Sequence, residues 1–280
     1  MARKELSIEE KLLGYSKYYY MDIAPPNPIK MQFIKAGPIA PELTLQAEEI
    51  VEKMFEPGYL PAEFGYCLYD DGRTFMANYE ILHGVTPEML DWWFVWHWIR
   101  PASVPKEQGN LRYKIWCPLD HWDTGRDEET ERIFKDESLP ISERRARGKT
   151  CFIVESLDLG QGDELHHGSS EDLRYEDFGV PPEKIIALER QNCKLFCGTS
   201  SNGTKINMHF VRPTLDGVEL RTRSWTGYGV RNGKVVKTEV PAMTEEKLIK
   251  NLVHNITEWQ HLQRFLPSLY AEESWKPVSC

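Results

Sequence analysis

The sequence predicts an α+β fold in which an antiparallel sheet curves around one long C-terminal helix, behind a small helical subdomain. From residue 111 onward, short apolar segments alternate with turn dipeptides such as Asp216-Gly217 and Asn232-Gly233, which favour hairpins between antiparallel strands. Near the end of the chain, apolar residues recur instead at helical spacing. We therefore predict a helical arm at residues 1–75 and a sheet domain at residues 76–280.

The composition is that of an ordinary globular protein and excludes several classes. The 280 residues, 41% hydrophobic and 28% charged, suffice for a sizeable core, and a net charge of -9 argues against binding to a nucleic-acid backbone. The N-terminal segment lacks the apolar run of a signal peptide, and no segment reaches the roughly 20 apolar residues of a membrane span. We expect a cytoplasmic protein that binds neither nucleic acid nor membrane. Its six cysteines, which have no CxxC spacing, should be reduced.

The first 75 residues carry helix start signals separated by prolines. Ser7 and Glu10 have the spacing of a capping box, and Thr44 is a candidate cap for a helix over residues 45–54. The prolines of residues 23–29 exclude regular structure there. The pattern predicts a helical arm whose function the sequence does not reveal.

A strand and a tryptophan-rich helix are predicted next. Residues 74–82 have strand character, and Thr86-Pro87 is typical of a helix start. The following helix, residues 88–98, is apolar almost all round, so we expect it to be buried or to lie at an interface. This apolar helix is the reason to expect a homodimer.

Short strands separated by turns or polar loops make up most of the remaining chain. Consecutive hairpins indicate an antiparallel meander and not parallel βαβ units. The segments 123–147 and 160–177 are rich in charged residues and are predicted to be exposed loops. The predicted strands are 111–117, 150–157, 184–190, 194–199, 205–212, 217–225 and 227–240.

The C-terminal helix is predicted to begin after Thr244, which can cap it, and to end at Pro267. His254 and Glu258 lie four residues apart and therefore project from the same helical face. Such a pair can ligate one metal ion or act as an acid and a base. The alternative is a solvated pair on the outer face of the helix.

Two further residues can complete a metal site if the sheet faces this helix. His121 follows a predicted strand, and Glu155 lies inside the apolar strand 151–157, where an isolated carboxylate is costly without a cation. The alternative for Glu155 is an outward-facing strand position. Two imidazoles and two carboxylates suit Zn²⁺, with Mn²⁺ or Fe²⁺ as alternatives.

Other polar side chains on the predicted strands are candidates for substrate contact or catalysis. His209 can be a ligand, a proton donor or a core histidine, and its strand pattern does not decide among these. Tyr113 and Tyr228 offer phenols that can hydrogen-bond a polar aromatic substrate, or that serve only the core.

Several sequence runs resemble one known family in the same order along the chain. They are MANYEILHGVTPEMLDWWFVWHW at 76–98, Arg112-Tyr-Lys114, Leu119-Asp-His-Trp122, and His254 with Glu258 ahead of Phe265-Leu-Pro-Ser-Leu-Tyr270. Together they are similar to the 2,4-diacetylphloroglucinol hydrolase family, which includes phloretin hydrolases. The resemblance implies a helix-grip fold similar to the plant pollen allergens (Bet v 1-like). It also implies a zinc-dependent hydrolase that cleaves the bond between an acyl carbon and a phloroglucinol ring.

The resemblance also implies residue roles. It makes His209 a catalytic histidine beside the metal, and it makes Tyr113 and Tyr228 substrate-binding tyrosines with a part in catalysis. A substrate-contacting asparagine of the family corresponds here to Thr124. The implied metal ligands are His121, Glu155, His254 and Glu258.

The sequence therefore predicts a zinc-dependent hydrolase of an acylphloroglucinol, either phloretin or 2,4-diacetylphloroglucinol. One alternative is a helix-grip carrier that binds an aromatic ligand without catalysis. Another is a metal-dependent cyclase or decarboxylase on the same fold. A convergent set of four metal ligands distinguishes the enzyme from the carrier, because a carrier does not need one.

Overall fold

A computed structural model describes residues 3–157, 159 and 164–279 of the chain. The chain divides into two units that are interleaved along the sequence. Unit 1 comprises Met1–Ala24, Gly84–Ser169 and Thr257–Cys280, and unit 2 comprises Pro25–His83 and Ser170–Ile256. The predicted division after residue 75 stays a prediction.

The helices differ greatly in length, and the longest is the last. Short 3₁₀ segments and a π-helical turn at Ile50–Met54 accompany them. The α-helices are α1 (Ile8–Lys11), α2 (Pro28–Ala36), α3 (Pro87–Trp96), α4 (Leu111–Lys114), α5 (Glu128–Phe134), α6 (Ile141–Ala146), α7 (Pro182–Arg190) and α8 (Glu245–Glu273).

The strands pair in an antiparallel manner wherever the structure gives a register. They are β1 (Gly65–Leu68), β2 (Thr74–His83), β3 (His121–Arg126), β4 (Thr150–Glu155), β5 (His166–Leu173), β6 (Lys194–Ser200), β7 (Lys205–Pro213), β8 (Gly217–Thr226), β9 (Tyr228–Arg231) and β10 (Lys234–Lys237).

Unit 2 is built on an antiparallel sheet in which β1, β2, β8, β7, β6 and β5 are neighbours in that order. The predicted hairpin at Asp216-Gly217 joins β7 to β8, and a turn at Asn202-Gly203 joins β6 to β7. A core that includes Phe75, Phe210 and Trp225 packs in this unit. The predicted mixed fold, with a large antiparallel sheet and a long C-terminal helix, is confirmed at this level.

Unit 1 contains the β3–β4 ladder and an aromatic cluster around helix α3. Trp93, Trp96 and Trp116 are buried and meet at ring-centroid distances below 6 Å, in the T-shaped or tilted arrangements that aromatic quadrupoles favour. The helix begins at Thr86, whose hydroxyl accepts the Met89 N–H, with Pro87 in the first turn. The predicted burial of this helix is confirmed.

Helix α8 buries the predicted apolar stripe, since Leu248, Leu252, Ile256, Trp259 and Leu266 are all buried. The prediction that Pro267 ends the helix is wrong. The helix continues to Glu273, because the buried Leu266 and Leu269 on either side of the proline hold this segment in the core. None of the helices in the described ranges has the length and apolarity needed to cross a membrane.

The strand predicted at 111–117 is wrong, because this segment contains the short helix α4. Apolar residues at 111, 113 and 115 alternate with Arg112 and Lys114, which is a strand pattern in the sequence. In the structure both charged residues are buried with partners: Lys114 Nζ lies 2.7 Å from Glu10, and Arg112 donates to the Val278 carbonyl. The Asn110 side chain caps the helix at the Arg112 N–H.

The strand predicted at 184–190 is also wrong, since it lies in helix α7. Ile185 and Leu188 are buried while Ile186 is 48% exposed, which is the three-residue period of a helix. Pro182 in the first turn favours this helix.

Several segment boundaries also differ from the predictions. The predicted helix over residues 45–54 is replaced by a 3₁₀ turn at Ala47–Glu49 and a π turn at Ile50–Met54. Residues 227–240 contain the separate hairpin β9–β10. The predicted loop 123–147 holds part of β3 and helices α5 and α6. The predicted loop 160–177 contains β5, while residues 160–163 lie outside the described residues. Five cysteines are free, and Cys280 also lies outside the described residues.

Candidate metal centre

His121 and Glu155 are brought face to face by the antiparallel ladder of β3 and β4. They are directly paired across the two strands, at the end of the ladder. A bulge between His121 and Asp123 follows at once, and bulges of this kind redirect side chains near functional sites. The Cys117 carbonyl accepts the N–H groups of both Asp120 and His121, so a tight turn from α4 holds the histidine at its strand start.

Glu258 adds a second carboxylate to this pair within unit 1. One of its oxygens, Oε2, lies 3.7 Å from His121 Nε2, and Glu155 Oε2 lies 3.5 Å from the same nitrogen. The Glu258 side chain is 9% exposed and that of Glu155 is 21% exposed. Glu258 is therefore not on a solvated outer face of the helix, and Glu155 does not face outward from its strand.

The other ring nitrogen of His121 determines what Nε2 can do. Nδ1 lies 3.1 Å from the Tyr113 carbonyl oxygen, and because a carbonyl can only accept, Nδ1 carries a hydrogen. In the neutral imidazole Nε2 then holds a lone pair. A lone pair that faces two carboxylate oxygens is unfavourable until a cation or a proton lies between them.

The donor set and its spacing fit a metal ion. Donors about 2.1 Å from a tetrahedral zinc ion lie about 3.4 Å from each other, close to the separations of His121 Nε2 from the two carboxylates. A metal-ligating histidine also commonly donates its second N–H to a backbone carbonyl, as His121 does. The imidazole and carboxylates are therefore compatible with a divalent metal.

Tyr113 contacts both members of the ladder pair. Its carbonyl accepts from His121, its ring stacks on the imidazole at a centroid distance of 3.9 Å and an angle of 5°, and its hydroxyl donates to Glu155 Oε2. Burial, with the Glu155 charge beside it, raises the pKa of this phenol well above its usual value. The tyrosine is therefore a neutral hydrogen-bond donor in this site.

Aromatic rings surround the imidazole on its other sides. Trp116 meets His121 edge-on at 5.3 Å and meets Trp259, one position after Glu258 on α8, at 5.4 Å. These rings exclude water from His121, whose side chain is fully buried. A low-polarity wall of this kind strengthens every electrostatic interaction of the centre.

His254 lies one turn before Glu258 on the continuous helix α8 and is buried. Its helical spacing therefore agrees with the prediction that both side chains project from one face. Further groups that can ligate a metal lie in unit 1 at the buried Cys117 and Asp120, beside His121.

His209 lies in the middle of strand β7 in unit 2 and is buried. Its Nδ1 lies 2.8 Å from the hydroxyl of Thr222, its directly paired neighbour on β8. Burial lowers the pKa of His209 to about 3, with a smaller contribution from Lys205. The imidazole is therefore neutral near pH 7 and a weak base.

The other two predicted substrate contacts, Tyr228 in unit 2 and Thr124 in unit 1, are both buried. Tyr228 belongs to the core of unit 2, with the guanidinium of Arg73 over its ring, and burial raises the pKa of its phenol to about 12. Thr124 is fully buried on β3, and its hydroxyl donates to the Phe152 carbonyl at 2.7 Å. Their roles toward a substrate stay predictions.

One buried pair beside His121 and Glu155 had no clear motif in the sequence. Asp120 and Ser156, the residues next to His121 and Glu155, bond to each other. The signal in the sequence was slight: a carboxylate before the histidine, and a hydroxyl that ends an apolar strand.

Comparison with known proteins identifies the family. The sequence model of the family described as "DAPG hydrolase PhiG domain" matches residues 45–271, which is most of the chain. The chain belongs to this family. The family resemblance seen in the sequence motifs is thereby confirmed.

Individual relatives match over nearly the full length. The phloretin hydrolase of Eubacterium ramulus is 35% identical over 273 residues, covering 95% of this chain and 92% of the relative. The 2,4-diacetylphloroglucinol hydrolase of Pseudomonas protegens is 26% identical over 292 residues, covering 96% of this chain and 87% of the relative. Both names describe hydrolases, which confirms the predicted enzyme class.

Proposed function

We propose that this protein is a zinc-dependent hydrolase that cleaves the carbon–carbon bond between the acyl carbon and the ring of an acylphloroglucinol. The observation that carries the proposal is His121 Nε2, which faces the carboxylates of Glu155 and Glu258. The higher identity to a phloretin hydrolase makes phloretin the first substrate to test, and 2,4-diacetylphloroglucinol the second.

The proposed ligands are His121, Glu155, His254 and Glu258. The separations of His121 Nε2 from Glu155 Oε2 and from Glu258 Oε2 support a metal, as does the orientation of His121 by a backbone carbonyl. Support for His254 comes from the family resemblance and from its position one turn before Glu258. A bound Zn²⁺ would supply Lewis acidity and would lower the pKa of water to about 7.

The overall reaction adds water across the bond: the ring carbon gains a hydrogen and the acyl carbon gains a hydroxyl group. A carbanion is a poor leaving group, but a trihydroxylated ring can ketonise, take a proton on its carbon and leave as a neutral phenol. The protein must therefore deliver a proton to the ring carbon and activate the acyl carbonyl.

His209 is proposed to move that proton. In the tautomer whose Nδ1–H donates to the Thr222 hydroxyl, the Nε2 lone pair would take a proton from a ring hydroxyl of the substrate and return it to the ring carbon. Burial keeps the imidazole neutral before the reaction, and the pKa of about 3 makes its protonated form a strong acid toward the ring carbon. Tyr113 and Tyr228 are proposed to orient the ring hydroxyls, and Thr124 to act near the acyl side.

The non-catalytic carrier is the weaker candidate, because a carrier gains nothing from two carboxylates aimed at one imidazole. The helix-grip arrangement, the homodimer and the cytoplasmic location remain parts of the proposal that follow from the resemblance and the composition.

The test combines metal analysis with product analysis. The purified protein is stripped with a chelator, reloaded separately with Zn²⁺, Mn²⁺ or Fe²⁺, and incubated with phloretin and with 2,4-diacetylphloroglucinol. We expect one zinc ion per chain and release of phloroglucinol, or its monoacetyl derivative, with the matching carboxylic acid. A protein that binds no stoichiometric metal, or that consumes neither substrate, would contradict the proposal.

A pair of variants on the same helix checks the ligand assignment. Glu258→Gln should lose metal affinity and lower turnover at least about 100-fold, because it removes a charged ligand. Glu246→Gln, which removes an exposed glutamate paired with Lys250 at the start of α8, should leave both unchanged. Equal behaviour of the two variants would exclude Glu258 as a ligand.

A further inference from the structure

A buried pair of hydrogen bonds closes the end of the ladder that carries two of the proposed ligands. The Ser156 N–H donates to the Asp120 carbonyl at 2.9 Å, and the Ser156 hydroxyl donates to Asp120 Oδ1, also at 2.9 Å. Asp120 is 2% exposed and Ser156 is 5% exposed. Both bonds are therefore shielded from competing water.

Each member of this pair is covalently next to a proposed ligand. Asp120 precedes His121, Ser156 follows Glu155, and the two ligands are themselves paired across the strands. Beyond this point the ladder ends, and strand ends separate most easily where no side chain ties them. The bulge on the other side of His121 removes regular pairing at Trp122.

We propose that Ser156 is a positioning residue for the metal centre, and that it acts by clamping Asp120 so that His121 and Glu155 stay at the separation the metal requires. The inference rests on the proposed metal-dependent function. Ser156 itself touches neither substrate nor metal in this assignment, so its effect passes through the backbone of the two ligands.

The hydrogen bond between Ser156 and Asp120 favours a positioning role for Ser156 over a role in core packing alone. The Ser156 hydroxyl donates to a carboxylate, and such charge-assisted bonds are shorter and stronger than bonds between neutral groups. The other carboxylate oxygen, Asp120 Oδ2, has the Cys117 thiol 4.0 Å away, which is a weak donor. Removal of the serine hydroxyl therefore takes a strong donor from a buried carboxylate.

The experiment measures metal affinity. If Ser156 only stabilised the fold, its substitution would lower the thermal midpoint without a selective loss of metal affinity. Zn²⁺ affinity is determined by competition with a chromophoric chelator for the wild type, Ser156→Ala and Ser156→Thr. The thermal midpoint of each metal-free protein is measured in parallel. We expect Ser156→Ala to bind zinc at least about tenfold more weakly, as is typical when residues supporting metal ligands are lost, and Ser156→Thr to recover most of the affinity.

The far end of the same ladder provides a matched control. The buried Thr130 donates its hydroxyl to Asp127 at 2.7 Å, and the Asp127 N–H donates to Thr150, the first residue of β4. Thr130→Val removes a hydroxyl-to-aspartate bond of the same kind, but away from the ligands. We expect it to lower the thermal midpoint while leaving zinc affinity as in the wild type.

The outcomes separate this inference from the proposed function. Wild-type zinc affinity in a folded Ser156→Ala protein would overturn the clamp while leaving the metal centre intact, and so would equal losses in Ser156→Ala and Thr130→Val. A wild type that binds no zinc would overturn both. If Ser156→Ala does not fold, Asp120→Ala, which removes the acceptor of the Ser156 hydroxyl, tests the clamp from its other side, and unchanged affinity there would overturn it.

Discussion

The orientation of one imidazole determines what the candidate centre can bind. The Tyr113 carbonyl engages His121 Nδ1, which leaves Nε2 directed at two carboxylates. In the other neutral tautomer, an Nε2–H would donate to the carboxylates and leave no lone pair there for a metal. The backbone of Tyr113, and not its side chain alone, therefore sets the chemistry of the site.

Tyr113→Phe separates two roles of this tyrosine. The change removes the hydroxyl that donates to Glu155 but keeps the ring stacked on His121. We expect zinc to bind about tenfold more weakly, because a supported ligand becomes unsupported. Chelator competition measures this loss, and steady-state kinetics measures KM. A raised KM with unchanged metal affinity would instead assign the hydroxyl to the substrate.

His209→Gln tests the proposed proton transfer. Glutamine keeps a polar side chain but has no ring nitrogen to carry a proton between two groups, so kcat should fall at least about 100-fold, the usual scale of general acid–base catalysis. Zinc content should stay at the wild-type level. Product formation from phloretin at saturating substrate is the measurement.

The matched control for His209→Gln is His261→Gln. His261 is also buried, and burial lowers its pKa to about 4, but it belongs to helix α8 in unit 1 and no catalytic role is proposed for it. Turnover should survive this change. A His209→Gln enzyme that keeps near-normal kcat would remove the residue from the mechanism.

At the scale of elements, a short helix and a turn, and not the predicted strand, place Tyr113 beside His121. Helix α4 places Tyr113, the turn at Cys117 reverses the chain, and β3 begins at His121. A strand over 111–117 would put Tyr113 far from His121, since strands rise about 3.3 Å per residue. The compact turn is what allows the stacking of the two rings.

Helix α8 contains a proline whose removal should stabilise the protein. Pro267 lies inside the helix, where it lacks the N–H that would donate to the preceding turn, and its side chain is only partly buried. We expect Pro267→Ala to raise the free energy of unfolding by about 1 kcal/mol. Alanine stabilises the helix relative to proline by more than it stabilises the unfolded chain through added conformational entropy. Urea titration measures the change.

Ser268→Ala, at the next and exposed position of the helix, is the control and should change stability by less than about 0.5 kcal/mol. A lower unfolding free energy for Pro267→Ala would show that the ring of the proline contributes more packing than its missing hydrogen bond costs.

At the scale of the whole molecule, several buried histidines make the folded state sensitive to acid. Burial lowers the pKa of His97 to about 3, with the nearby positive charge of Arg126 adding to the effect. His209 and His261 are lowered in the same direction. In the unfolded chain each has a pKa of about 6.5.

The sign of the pH dependence follows from these pKa values. Below about pH 6.5, His97 binds a proton in the unfolded chain but not in the folded protein. The free energy of unfolding is therefore highest above that pH, with respect to this group, and falls as the pH drops toward 3. Between about pH 6.5 and 3, the unfolding free energy of the metal-free His97→Gln variant should therefore fall less steeply than that of the wild type, by up to about 1.4 kcal/mol per pH unit.

Urea titrations from about pH 7 down to about pH 4 measure this dependence. His167→Gln removes an exposed histidine and should leave the wild-type dependence unchanged. Parallel curves for His97→Gln and the wild type would show that His97 takes up a proton in the folded state.

Much of the site could be predicted because its signals are local. His254 and Glu258 share a helical face at a spacing visible in the sequence, and Glu155 is a conspicuous carboxylate in an apolar strand. The segment around Tyr113 was mispredicted because alternating charges usually mark a solvated strand face. Here Lys114 is buried against Glu10, a partner 104 residues earlier that no local pattern reveals.

The sequence by itself showed the family through the resemblance of its motifs. It also determined the hairpins of the meander and the apolar stripe of the last helix, because these two depend on short-range spacing and turn chemistry. Only the tertiary structure decided that His121 pairs with Glu155, that Glu258 reaches the same nitrogen, and that Ser156 ties the ladder end to Asp120. These contacts join residues far apart in the chain. Their geometry depends on a turn, a bulge and a ring orientation that no single segment encodes.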